Sequence, residues 1–259
     1  LRNGPAPLTI GVLSGTFAHQ VIFANAGFRR MIVSHRYRLI FIKTLKSAGT
    51  SIELELSRHC GPTDIITPIF PKIDGHVSQN WRGVFPPWRE VRSAADLRKN
   101  VRECVRRDRF YNHIPARFAK ARMPPKIWIS YLKVCVERNP WDKTLSHYHM
   151  FRNAAWHRHH DPELTLDRYL ANGILCHNAP FYCDASGKPL VDRVLRFDRL
   201  NDDLAELCDE IGLPFGGLPH AKGDLRRDGR KYKDVLTEKQ ASEIARAFTH
   251  EIALHGWEY

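Results

Sequence analysis

The segment Arg38–Leu56, RLIFIKTLKSAGTSIELEL, carries the reading of the fold. The apolar run through Arg38–Ile42 predicts a short buried strand, and the spacing after it predicts a helix over Thr50–Cys60. Between them stand Lys46, Ser47, Ala48, Gly49, Thr50 and Ser51. Small residues at a strand-to-helix turn let backbone N–H groups close on an anion where the helix dipole already favours negative charge. Lys46 adds a mobile positive charge, and Thr50 and Ser51 add hydroxyl donors. The order is not that of a Walker A loop, where lysine follows the last glycine; here Lys46 precedes Gly49. A plain turn would need the same small residues, so this loop alone names no ligand.

A second segment, Glu137-Arg138-Asn139-Pro140-Trp141-Asp142-Lys143 followed by Ser146, repeats the design. The run Trp128–Val136 predicts a buried strand, Pro140 suits the first turn of a helix over Trp141–His157, and Arg138 sits at the junction. A guanidinium there can fork onto a phosphate, or pair with Asp142 on the surface. Further along, the pattern predicts a basic helix over Ala94–Arg109 with Leu97, Val101 and Val105 as its core stripe. It also predicts a short helix from Pro115, a strand over Val194–Phe197, a helix over Asn201–Ile211 and a C-terminal helix over Thr237–His255. Residues 61–88, rich in Pro and Gly, predict an irregular excursion able to shape a pocket. Alternating strands and helices imply an α/β fold with a mainly parallel central sheet, whose ligands sit at the carboxyl ends of the strands.

Taken together, K-x-x-G-T-S and R-N-P-W-D-K-x-x-S some ninety residues apart resemble the sulfotransferase family, nearest the carbohydrate, heparan-type and bacterial branch. The likeness extends through Phe110–Phe118, Arg193–Pro214 and Tyr232–Tyr259, covering Arg36 to Tyr259. It implies a 3′-phosphoadenosine 5′-phosphosulfate donor, with adenosine 3′,5′-bisphosphate as product and no metal. Lys46, Ser47, Ala48, Gly49, Thr50 and Ser51 would hold the 5′-phosphosulfate, and Arg138 and Ser146 the 3′-phosphate. Ala48 stands where the family usually has another small residue. In the basic run Lys222–Asp234, Arg226, Arg227, Arg230 or Lys231 would cover the donor; Arg230 is carried as a donor-binding candidate. The reaction needs a base for the acceptor hydroxyl. Among fourteen histidines, His113 is the choice, since it stands before a helix start that disfavours its charged form. His76 is the rival. His147, His149, His157, His159 and His160 lack the spacing that sets metal ligands on one helix face.

The net charge of +12 attracts anions of several kinds without choosing among them. The acceptor implied is a glycan or another polar hydroxyl compound; a small alcohol or phenol is the alternative, and a non-catalytic polyanion or nucleotide binder is the reading from another class. A kinase would need a true Walker A loop. The six cysteines form no C-x-x-C pair, which favours reduced thiols in a cytoplasmic enzyme. A Golgi enzyme that has lost an anchor is the alternative location. Residues 1–35 are expected to be an N-terminal extension packed on a 36–259 catalytic domain, too interrupted by polar residues to span a membrane. Nucleic acid is not an expected partner, and oligomeric state is left open.

Overall fold

The computed structural model describes residues 31–69, 73–91, 93–111, 113–218 and 229–259. Residues 1–30 of the expected 1–35 extension, and Arg226 and Arg227 of the basic run, lie outside the described residues. The first described segment is already part of the sheet. Strand β1 (Ile32–Ser34) pairs antiparallel with β2 (Leu39–Phe41) and with β3 (Ile65–Ile66). Strand β4 (Leu132–Glu137) lies parallel to β2, and β5 (Arg193–Arg196) parallel to β4, giving the order β3-β1-β2-β4-β5. The sheet is therefore mixed, with β1 the strand that runs against the rest.

Both faces of this sheet are covered, as the apolar strands require. Ile40 and Cys135 point to a core with Phe110, Phe118 and Tyr182, which brings in α3 (Ala116–Arg122) and α7 (Ala179–Tyr182). Leu39, Phe41, Val134 and Val136 point the other way, onto Ile52 of α1 (Gly49–Ser57) and Leu204 of α8 (Leu200–Glu210). Alternation along β2 and β4 thus sorts their side chains between two layers of helix. A third core joins Trp141 and Leu145 of α5 (Pro140–Asn153) to Ile244 and Phe248 at α9 (Glu238–Ala247). All six cysteines are free. No helix among the described residues is long and apolar enough to cross a membrane.

Three expectations are corrected. Trp128 and Ile129 belong to helix α4 (Pro125–Ser130), not to the following strand, because Pro125 at its first turn nucleates a helix before the chain extends. The C-terminal helix is two: Thr237 caps α9 reciprocally with Gln240, and the chain breaks at Phe248 before α10 (Thr249–His255). The third concerns α2 (Ala94–Val105). Its expected core stripe, Leu97, Val101 and Val105, is exposed, while Asn100 and Glu103 are buried. Glu103 meets the fully buried Arg122 guanidinium at 2.7 Å, and Asn100 donates to the Pro87 carbonyl at 3.0 Å. Arg122 also donates to the Asp108 and Arg109 carbonyls. A guanidinium in the interior needs a carboxylate more than a valine needs shelter, so it sets which face of α2 turns inward.

Glu103→Ala should therefore cost about 3–5 kcal/mol in urea unfolding by leaving Arg122 buried and uncompensated. Val105→Ser should change stability by no more than about 0.5 kcal/mol.

Candidate functional site

In-register parallel pairing brings the ends of β2, β4 and β5 to one edge of the sheet, and the two sequence motifs leave from there. Helix α1 starts at Gly49, one residue before the expected start, behind Ala48 in the left-handed conformation (φ 55°). Lys46 is left-handed too (φ 58°). Among the described residues no side chain caps α1, and its first turn holds no acid, so the helix itself does not offset its positive end.

Buried polar groups hold the loop in this shape. The Asn178 amide takes both sides of Leu45, accepting from its N–H at 2.8 Å and donating to its carbonyl at 3.0 Å. Thr44 donates its hydroxyl to the Val136 carbonyl and lies 2.7 Å from the Ser47 hydroxyl. Ser47 is thus turned inward, and its part in anion binding would be its backbone. Under the loop, Lys43 donates to Thr50 Oγ1 at 3.2 Å and to Glu53 Oε2 at 2.7 Å, with both charged side chains buried. A Cβ on Gly49 would come within 2.6 Å of the Lys43 chain, which is why glycine stands there. Ser51 is half-buried in the first turn of α1.

Arg138 leaves β4 and reaches across. Its Nη1 donates to the Lys46 carbonyl at 3.0 Å, its Nε to Asp142 at 2.7 Å, and its guanidinium lies 4.0 Å from the Phe197 ring centre. Loop and Arg138 therefore meet, and Asp142 pairs the charge. Ser146, half-buried, lies one turn beyond Asp142 on the same face of α5. Beside Arg138 opens a cavity of about 320 Å³, walled by Arg196, Phe197, Tyr232 and Trp257. Arg230 is exposed two residues before Tyr232.

His113 joins the same edge. Its Nδ1 lies 3.0 Å from the Lys43 carbonyl. A carbonyl only accepts, so Nδ1 carries the proton and Nε2 is the basic nitrogen of the neutral ring. His76, the rival, is buried against the Thr67 carbonyl at 3.0 Å, on the antiparallel side of the sheet.

The buried network around Glu137 was not legible from spacing. Glu137 is buried and gathers Lys143 Nζ (2.9 Å), Asn178 Nδ2 (3.0 Å), Tyr182 OH (3.2 Å) and the Arg138 N–H (2.8 Å). His147 of α5 and His157 and His159 beyond it gather around Phe151, with ring centres 4.5, 4.9 and 5.1 Å away. Burial pushes His147 well below its usual range, with the Lys46 charge the next cause. His157 is lowered from 6.5 to about 4, first by burial, then by His159, Arg158 and Lys46. These rings are neutral at pH 7. Among the described residues no cluster of three or more His, Cys, Asp or Glu is arranged to hold a metal.

No known protein-family model matches the chain. An uncharacterized protein of Archaeoglobus fulgidus is 31% identical over 109 residues, which is 39% of this chain and 84% of the archaeal one. The two proteins belong to one family. The archaeal relative covers less than half of this chain, and its description assigns no activity, so the chemistry rests on the geometry of the site.

Lys43→Met should cost about 3–5 kcal/mol by stranding the Glu53 carboxylate, and Lys43→Met with Glu53→Leu should recover most of it in equilibrium unfolding. The His157 pKa is depressed in the folded state, so its contribution to stability is present above pH 6.5 and lost as pH falls toward 4. An NMR titration should place the His157 midpoint near 4, and His157→Gln should flatten the acid limb of the stability profile.

Proposed function

We propose that the chain is a sulfotransferase that moves a sulfuryl group from 3′-phosphoadenosine 5′-phosphosulfate to a hydroxyl of a glycan-type acceptor. One observation carries the reading: Arg138 donates to the Lys46 carbonyl at 3.0 Å. Two motifs ninety residues apart in sequence, each able to take a phosphate, thereby share one edge of the sheet. A donor with phosphates at both its 5′ and 3′ positions is the ligand that uses both. The proposed fold is the P-loop-like one of that family, with β2, the loop and α1 as its anion-binding unit.

In this reading the uncapped end of α1 and the backbone of Ser47–Ser51 take the 5′-phosphosulfate, and Lys46 offsets charge on the leaving phosphate. Arg138, shared at present with Asp142, and Ser146 take the 3′-phosphate. The acceptor oxygen forms a new bond to sulfur as the bond from sulfur to the bridging oxygen breaks. Adenosine 3′,5′-bisphosphate leaves with that electron pair. The acceptor proton passes to Nε2 of His113, whose tautomer is set by the Lys43 carbonyl. Positioning and charge stabilisation supply the rate, as in phosphoryl transfer.

A cavity of about 560 Å³ lies against the histidine cluster that feels the Lys46 charge, with His159, Asp161, Arg168 and Asn172 in its wall and Phe151 at its base. Such a wall suits a polyhydroxylated acceptor better than a phenol or simple alcohol.

Thermal unfolding with adenosine 3′,5′-bisphosphate, AMP and ATP tests the donor. At a hundred times Kd the bisphosphate should add about 2.7 kcal/mol, or about 5–10 °C for a chain of this size. AMP should add far less, and Arg138→Ala should abolish the difference. Equal shifts from every anion would reduce the protein to a polyanion binder. His113→Ala should keep the bisphosphate shift and lose turnover by about 10²–10⁴-fold.

A further inference from the structure

Helix α2 is amphipathic in reverse. Its inward face carries Asn100 and Glu103, both buried, and its outward face carries Leu97, Val101 and Val105 one turn apart. The 3-10 turn Pro87–Glu90 packs beside it, held by the Asn100 bond to Pro87, and exposes Trp88. With Val84 and Val91, this stretch supplies six of the eleven large apolar side chains that are exposed among the described residues. Scattered singly, such residues need no explanation; gathered on one face, they mark a binding surface.

Charge selects the occupant. Residues 82–107 hold eight Lys and Arg against three Asp and Glu, and Glu103 is already committed to Arg122. Arg98, Arg102 and Arg106 form an exposed row next to the apolar stripe, and Arg82, Arg89 and Arg107 are exposed as well. A second copy of this face would set arginine against arginine. A nucleic acid would match the charge and leave the valines and Trp88 without a partner. An apolar stripe with a tryptophan and a cationic border is what an anionic bilayer surface takes up, apolar groups at the acyl boundary and guanidinium groups among the headgroups.

We propose that the face built by α2 and the Pro87–Glu90 turn docks the protein on an anionic lipid surface. The docking is peripheral: α2 has twelve residues, too few to cross a bilayer. It rests on different residues from the donor site, so either can fail alone.

Co-sedimentation with vesicles of phosphatidylcholine alone, or with about one-third phosphatidylserine, tests it. The 259-residue chain should partition onto the phosphatidylserine vesicles and leave them as salt is raised. The triple variant L97S/V101S/V105S should bind at least about tenfold more weakly with an unchanged unfolding midpoint, since all three side chains are exposed. Three results would overturn the proposal: no partition onto phosphatidylserine vesicles, equal partition onto neutral ones, or an unaffected triple variant. A dimer that the triple variant dissolves would also overturn it, giving the face to a second copy.

Discussion

The site depends on one buried carboxylate. Glu137 ends β4 with almost no exposure, and an isolated charge there would be expelled or neutralised. It persists because Lys143, Asn178, Tyr182 and the Arg138 N–H converge on it. Three of these partners have a second task. Asn178 holds Leu45, Arg138 reaches Lys46, and Tyr182 lies 2.7 Å from His255 of α10. A single carboxylate thus couples α5, α7 and the C-terminal helices to the loop in front of α1.

The same logic recurs at two other places. Lys43 with Glu53 supports the loop from below, and Arg122 with Glu103 fixes α2. In each case a buried ion pair stands where an apolar pair would cost less. What the ion pairs contribute is orientation. The first sets the spacing of Gly49 over the Lys43 chain, and the second decides which side of α2 meets solvent.

The parts of the fold written locally were legible. The strand before the loop, α1, α5 with Pro140 in its first turn, β5 and α8 follow periodicity and capping. So was the meeting of the two motifs, since neighbouring parallel strands must deliver their ends to one edge. The rest depended on partners distant in sequence. Helical spacing in α2 gave a stripe but not its direction, because Arg122 lies beyond the helix. The sequence pattern carried no sign that Lys43 and Lys143 are buried, since their partners Glu53 and Glu137 meet them only in the fold. Asn178 and Tyr182 carried no motif, although they position the loop. Strand β1 carried no motif either, and its antiparallel pairing with β2 and β3 is what sets it in the sheet.

Lys46 and Ala48 hold left-handed backbone without being glycine, a conformation that costs roughly 1–2 kcal/mol for each such residue. The Asn178 bonds and the Thr44–Ser47 contact hold the chain there. The strained shape is therefore carried by the protein's own buried polar contacts. A substitution that freed Leu45 from Asn178 would let Lys46 and Ala48 relax to ordinary backbone, so the outline of the loop is written as much at Asn178 as in the loop itself.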